Sequence, residues 1–117
     1  MASVLALRPA VLILDEPTSQ LDPAGTRLVG ETLARLAESG TALLIVEHKT
    51  DLLDSLCQRV VVVESGRIVL GGPTATVLSD DRLEAWGVEG PSRVRLAEAL
   101  RAQGLDPDAV LGAEVAR

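Results

Sequence analysis

VLILDEPTSQLDP, residues 11–23, decides how the chain is read. Four apolar residues, Val11 to Leu14, run into the adjacent carboxylates Asp15 and Glu16, and a turn then leads to Asp22-Pro23. A short Val/Ile/Leu run bounded by turn residues is the pattern of a buried strand. Asp followed by Pro is a helix start: the side chain caps the first amides and the ring presets the first helical residue. Val29, Leu33, Leu36 and Ala37 recur at helical spacing, and Gly40 provides a stop. Ala42–Val46 reads as a second buried strand. Residues 11–46 therefore predict a β-α-β unit, in which the two strands run parallel.

Composition supports that class and narrows the function. Of 117 residues, 47% are apolar, yet Trp86 is the only aromatic. The core must be built from Leu, Val, Ile and Ala, as in a parallel sheet covered by helices. The net charge of −6 and the lack of a basic block argue against a nucleic-acid partner. Cys57 is single, so no intramolecular disulfide forms. No apolar run approaches the ~20 residues that span a bilayer. The chain is expected to be soluble and intracellular.

After the β-α-β unit, a short helix is predicted from about Thr50 to Cys57. VVVVESGRIVLGG then reads as a β-hairpin turning at Ser65-Gly66. Gly71-Gly72-Pro73 breaks the pattern and suggests a boundary, with an α/β part over residues 1–72 and a helical tail over 73–117. Within the tail, weak helices are expected near Thr74–Leu78 and Arg82–Trp86, and a better one from Ser92 to Gln103. Val94, Ala97 and Leu100, with Leu96 beside them, mark its apolar face. Asp106-Pro107 caps a final turn. Residues 2–8 read as the end of a helix stopped by Pro9.

In an open parallel sheet, ligands bind beyond the carboxyl ends of the strands. Asp15 and Glu16 lie at that end of the first strand, and Glu47 and His48 at that end of the next. Taken singly, each has a bland reading: a solvated loop for the acids, a surface residue for His48, a helix cap for Asp22. The β-α-β crossover brings Asp15, Glu16 and His48 to one rim, where coincidence is a poorer explanation. Acids at a strand tip suit Mg²⁺ and a water held beside a nucleotide phosphate.

LILDEPTSQLD resembles the Walker B and D-loop segment of ATP-binding-cassette (ABC) ATPases. IVEH resembles their switch-histidine strand, and RVVVVESGRIVLGGP the hairpin that follows in transporter subunits. The resemblance covers residues 1 to about 78 in order and spacing. A weaker one, in GVEGPSRVRLAEALRAQGL, is to cobalt- and vitamin-importer ATPases of the energy-coupling-factor type. The resemblance implies a partial P-loop NTPase fold with ATP and Mg²⁺ as ligands. It implies that Asp15 holds Mg²⁺, that Glu16 is the general base, and that His48 contacts the γ-phosphate. It implies further that Ser19, Gln20, Leu21 and Asp22 reach across a dimer interface. The partners implied are a second ATPase subunit and integral membrane transporter subunits, and the place a peripheral one on the cytoplasmic face of the membrane. Where many relatives carry an acid directly after the histidine, this chain has Lys49 and Thr50, with Asp51 next.

The same resemblance exposes what is missing. A Walker A loop needs G-x-x-x-x-G-K-[ST], whose amides and lysine cradle the phosphates. Lys49 is the only lysine and no Gly-Lys pair occurs. The signature motif and glutamine loop are absent as well. The chain is therefore expected to be the C-terminal half of a nucleotide-binding domain, inactive alone, with an apolar sheet edge left open that invites association. Two alternatives stand beside a transport ATPase: a non-transport ABC ATPase, and a catalytically inactive binding or regulatory module.

Overall fold

The computed structural model describes residues 9–112; the helix end expected over residues 2–8 lies outside them. The chain divides into two compact units, one ending at His48 and the other beginning at Lys49. The mixed α/β class with a parallel strand pair is as expected.

In the first unit, β1 (Val11–Asp15) and β2 (Ala42–Val46) pair in parallel, with Val11 opposite Ala42 and Asp15 opposite Val46. Helix α1 (Pro23–Glu38) connects them and packs on β2. Gly40 follows it at φ 100°, a conformation that glycine adopts without a Cβ penalty, which turns the chain into β2. Leu33 is fully buried and Leu12 nearly so. The strands are not buried on both faces, however. Val11, Ile13, Leu44 and Val46 are 53–68% exposed. The cause is layering: side chains alternate across a strand, and α1 covers one set. Within this unit no second layer among the described residues covers the other.

The second unit opens with α2 (Thr50–Leu56), then β3 (Arg59–Glu64) and β4 (Arg67–Pro73), an antiparallel hairpin. Ser65 and Gly66, at φ 50° and 75°, make the turn, the positive pair that matches strand twist. Strand β4 runs through Gly71-Gly72-Pro73, where the sequence reads as a break. The glycines sit opposite Val61 and Val60, and a Cβ on Gly71 would meet Val61 Cγ1 at 3.2 Å. Close approach explains Gly71, whereas Gly72, at φ 156°, holds a backbone conformation that side chains rarely adopt. Pro73 is tolerated because it ends the strand.

Helix α3 (Thr74–Val77) packs on the hairpin, and a 3₁₀ turn (Glu84–Trp86), α4 (Ser92–Ala102) and α5 (Pro107–Leu111) complete the unit. Val62, Val77, Leu78, Leu83 and Ala97 are among its buried residues. Leu96 is 46% exposed and so lies off the apolar face expected of α4. Two carboxylates on α2 fasten α4 instead. Asp51 accepts from Ser92 N and Oγ at 2.8 and 2.7 Å, and Asp54 binds Arg93 with two bonds of 2.7 and 2.9 Å. No helix among the described residues is long and apolar enough to cross a membrane.

Candidate functional site

The rim at the carboxyl ends of β1 and β2 gathers most of the residues singled out from the sequence. Asp15 is the last residue of β1, opposite Val46. It shares the sheet face of Val11 and Ile13 by strand alternation. Its carboxylate has no hydrogen-bond or ion-pair partner among the described residues.

Glu16 leaves the strand at φ 48°, in the left-handed region that a non-glycine residue occupies only at a cost of about 1–2 kcal/mol. Its amide donates to Val46 O at 2.7 Å, so the parallel ladder clips the strained residue to β2. His48 Nε2 then donates to Glu16 Oε1 at 2.7 Å. The His48 side chain is 87% exposed and that of Glu16 42%, so a ligand approaching from solvent meets both. A phosphate that takes the His48 Nε2 proton must first displace Glu16 from it.

The turn that follows is tightly hydrogen-bonded. Ser19 N donates to Glu16 O at 3.1 Å, and Leu21 N to Thr18 O at 3.3 Å. Gln20 is held at φ 63°, and Leu21 is 40% exposed. Asp22 is the N-cap of α1: Oδ1 accepts from Gly25 N at 2.7 Å. Thr18, by contrast, is fully buried, and its hydroxyl donates to Glu47 Oε2 at 2.7 Å. Neither Thr18 nor Glu47 had a role in the reading of the sequence. The available signal was positional: Glu47 directly precedes His48 on the strand paired with β1.

The structure thus brings Glu16 and His48 into contact and puts Asp15 beside them, while Ser19 to Asp22 form the turn leading away to α1. No group of three or more His, Cys, Asp or Glu among the described residues could hold a metal ion. Mg²⁺ commonly takes one or two carboxylates and completes its shell with phosphate oxygens and water. A single free carboxylate at Asp15 fits that donor set.

The whole chain has known relatives. It is 40% identical over 113 residues to the energy-coupling factor transporter ATP-binding protein EcfA2 of Symbiobacterium thermophilum, covering 94% of this chain and 39% of that protein. It is 36% identical over 112 residues to EcfA1 of Halalkalibacterium halodurans, covering 95% and 40%. Over nearly its whole length the chain is similar to ABC transporter ATP-binding proteins. A solved structure agrees: CbiO1 of Clostridium perfringens, described as part of the ABC transporter complex CbiONQ, superposes with a TM-score of 0.62 at 31% identity, covering 88% of this chain and 38% of that one. The chain spans about two fifths of the length of these relatives. No family model matches it.

Proposed function

We propose that these residues are the hydrolytic portion of an ABC ATP-binding subunit, of the energy-coupling-factor type, that powers import across a membrane. The observation that carries the reading is the Glu16–His48 contact on the rim that also bears Asp15. Phosphoryl transfer asks a protein chiefly for positioning and for charge stabilisation, and this rim offers both kinds of group. Asp15 would hold Mg²⁺, which supplies neutralisation of charge on the phosphate oxygens. Glu16 takes a proton from the attacking water as general base. His48, released from Glu16 by the incoming nucleotide, donates Nε2–H to the γ-phosphate. Ser19, Gln20, Leu21 and Asp22 face a second ATPase subunit. The assembled protein sits on the cytoplasmic face of the membrane against integral membrane subunits. The 117 residues alone carry no phosphate cradle and are proposed to hydrolyse no ATP.

Two substitutions in the full-length subunit test the assignment. Glu16→Gln keeps size and hydrogen bonding but removes the base, and steady-state phosphate release should fall by about 10²–10⁴-fold with ATP binding retained. His48→Ala should lower turnover as well. Wild-type phosphate release from Glu16→Gln sinks the base assignment, and an unsubstituted subunit that releases no phosphate favours a binding or regulatory module.

A further inference from the structure

We infer that Glu47 is a positioning residue for the Glu16–His48 pair, acting through Thr18; this rests on the ATPase reading above. Both oxygens of its carboxylate are engaged, and they hold different segments. Oε2 accepts from Thr18 Oγ1 at 2.7 Å and from Thr18 N at 3.3 Å. Oε1 accepts from the amide of His48 at 3.1 Å. One side chain at the end of β2 thereby ties down the turn that starts at Glu16 and the backbone that carries His48.

The turn needs such a tie. Glu16 at φ 48° is strained, and strain of this kind persists only where the surroundings over-determine it. The Glu16 amide is clipped to Val46 O, which fixes one end. Thr18, two residues on, is fully buried against the Glu47 carboxylate, where a charge-assisted bond is stronger than at the surface. With both ends fixed, the Glu16 backbone has one course to follow, and its carboxylate falls 2.7 Å from His48 Nε2. Removing the Glu47 carboxylate frees the far end of the turn and the His48 amide together. A displacement of about 1 Å in a reacting group costs about 10²-fold in rate.

The test compares Glu47→Ala, Thr18→Val and Thr18→Ser with Glu16→Gln in the full-length subunit. Glu47→Ala should lower kcat about 10–100-fold and leave KM for ATP within about twofold, because it disturbs the reacting geometry and not the nucleotide cradle. Thr18→Val removes the hydroxyl and should act in the same direction. Thr18→Ser restores the donor and most of the turnover. The double variant Glu47→Ala/Thr18→Val should be no slower than Glu47→Ala, since the two residues act as one unit. Amide exchange over residues 16–20 provides a readout independent of chemistry and should quicken in Glu47→Ala. Unchanged exchange there overturns the tie whatever the activity. Unchanged kcat in Glu47→Ala beside an inactive Glu16→Gln overturns the positioning role and leaves the ATPase reading standing. Wild-type turnover in Glu16→Gln instead removes the base assignment on which the positioning role rests, and an unsubstituted subunit that turns over no ATP removes the ATPase reading itself.

Discussion

Asp22 offers a way to separate a structural duty from a functional one in a single side chain. Its Oδ1 accepts from Gly25 N at 2.7 Å, and its own carbonyl accepts from Thr26 N at 2.9 Å as α1 begins. Asp22→Ala strands the Gly25 amide at an exposed helix start, where water partly replaces the lost acceptor. The cost should be about 1 kcal/mol, within the usual ~0.5–2 kcal/mol for losing an N-cap. Asp22→Asn keeps an oxygen in the same place and caps about as well, so its cost should be a few tenths of a kcal/mol. Loss of the charge beside the helix N-terminus adds at most ~0.5 kcal/mol at an exposed site. Gly25→Ala is an internal check, because its Cβ would lie 3.0 Å from Asp22 Oδ1 and disturb the same bond from the other side. Urea unfolding measures these differences, and steady-state ATP hydrolysis by an ATPase subunit that contains these residues measures the proposed second duty. If Asp22 faces a partner subunit, Asp22→Asn slows turnover while its unfolding midpoint stays near wild type. Asp22→Ala lowers both. A loss of 1 kcal/mol or more in Asp22→Asn refutes the capping argument. Wild-type stability and turnover together in Asp22→Asn leave the residue as a cap alone.

Two further outcomes are expected. The Arg82 guanidinium binds both oxygens of Asp80 at 2.9 Å and its amide binds Oδ1 at 2.8 Å, which lowers the Asp80 pKa to about 2, the side-chain bonds contributing most. A depressed carboxylate pKa stabilises the fold above the ordinary value near 4 and is lost as pH falls toward 2; carboxyl ¹³C titration should show this, and Arg82→Ala should return Asp80 toward the ordinary range. Leu33→Ala should cost about 2–5 kcal/mol by urea unfolding, whereas Ile13→Ala, 68% exposed, should cost under about 1 kcal/mol. A larger loss at Ile13 means that another polypeptide covers that face.

Much of this is legible in the sequence alone, and the reasons are local. The β-α-β unit was readable because strand run, cap, helical period and stop agree from Val11 to Val46, and the observed elements fall within a residue or two of that pattern. The hairpin was readable because Ser65-Gly66 supplies the two positive φ angles that its turn requires. That β4 continues through Gly71–Pro73 is not legible, because glycine signals a turn as well as a close approach, and at Gly71 only the neighbouring Val61 says which. Leu96 was misread because α4 is held through Asp51 and Asp54, so hydrogen bonds from another helix set its rotation. At the site, strand topology was enough to put Asp15, Glu16 and His48 on one rim. Thr18 and Glu47 were not legible, because a bond between residues 29 apart leaves no periodic trace.

The same register that builds the rim also builds the open face. Asp15 opposite Val46 sets Glu16 against His48, and two steps back it sets Ile13 opposite Leu44 on the exposed side. A slip of one residue would move Glu16 off Val46 O and exchange the two sheet faces, sending Leu12 out and Ile13 in. What opposes the slip within this unit is the burial of Leu12 and Leu33 on one side and the Thr18–Glu47 bond at the rim. Independent stability of a sheet normally takes three or more strands or a packed helix, and here two strands have one helix. Covering Val11, Ile13, Leu44 and Val46 would add burial that rewards only the native register. The geometry of Glu16 and His48 is therefore linked to hydrophobic cover on the far face of the strands that carry them. Polar substitutions on that face should loosen the Glu16–His48 pair through the register of the strands that carry it.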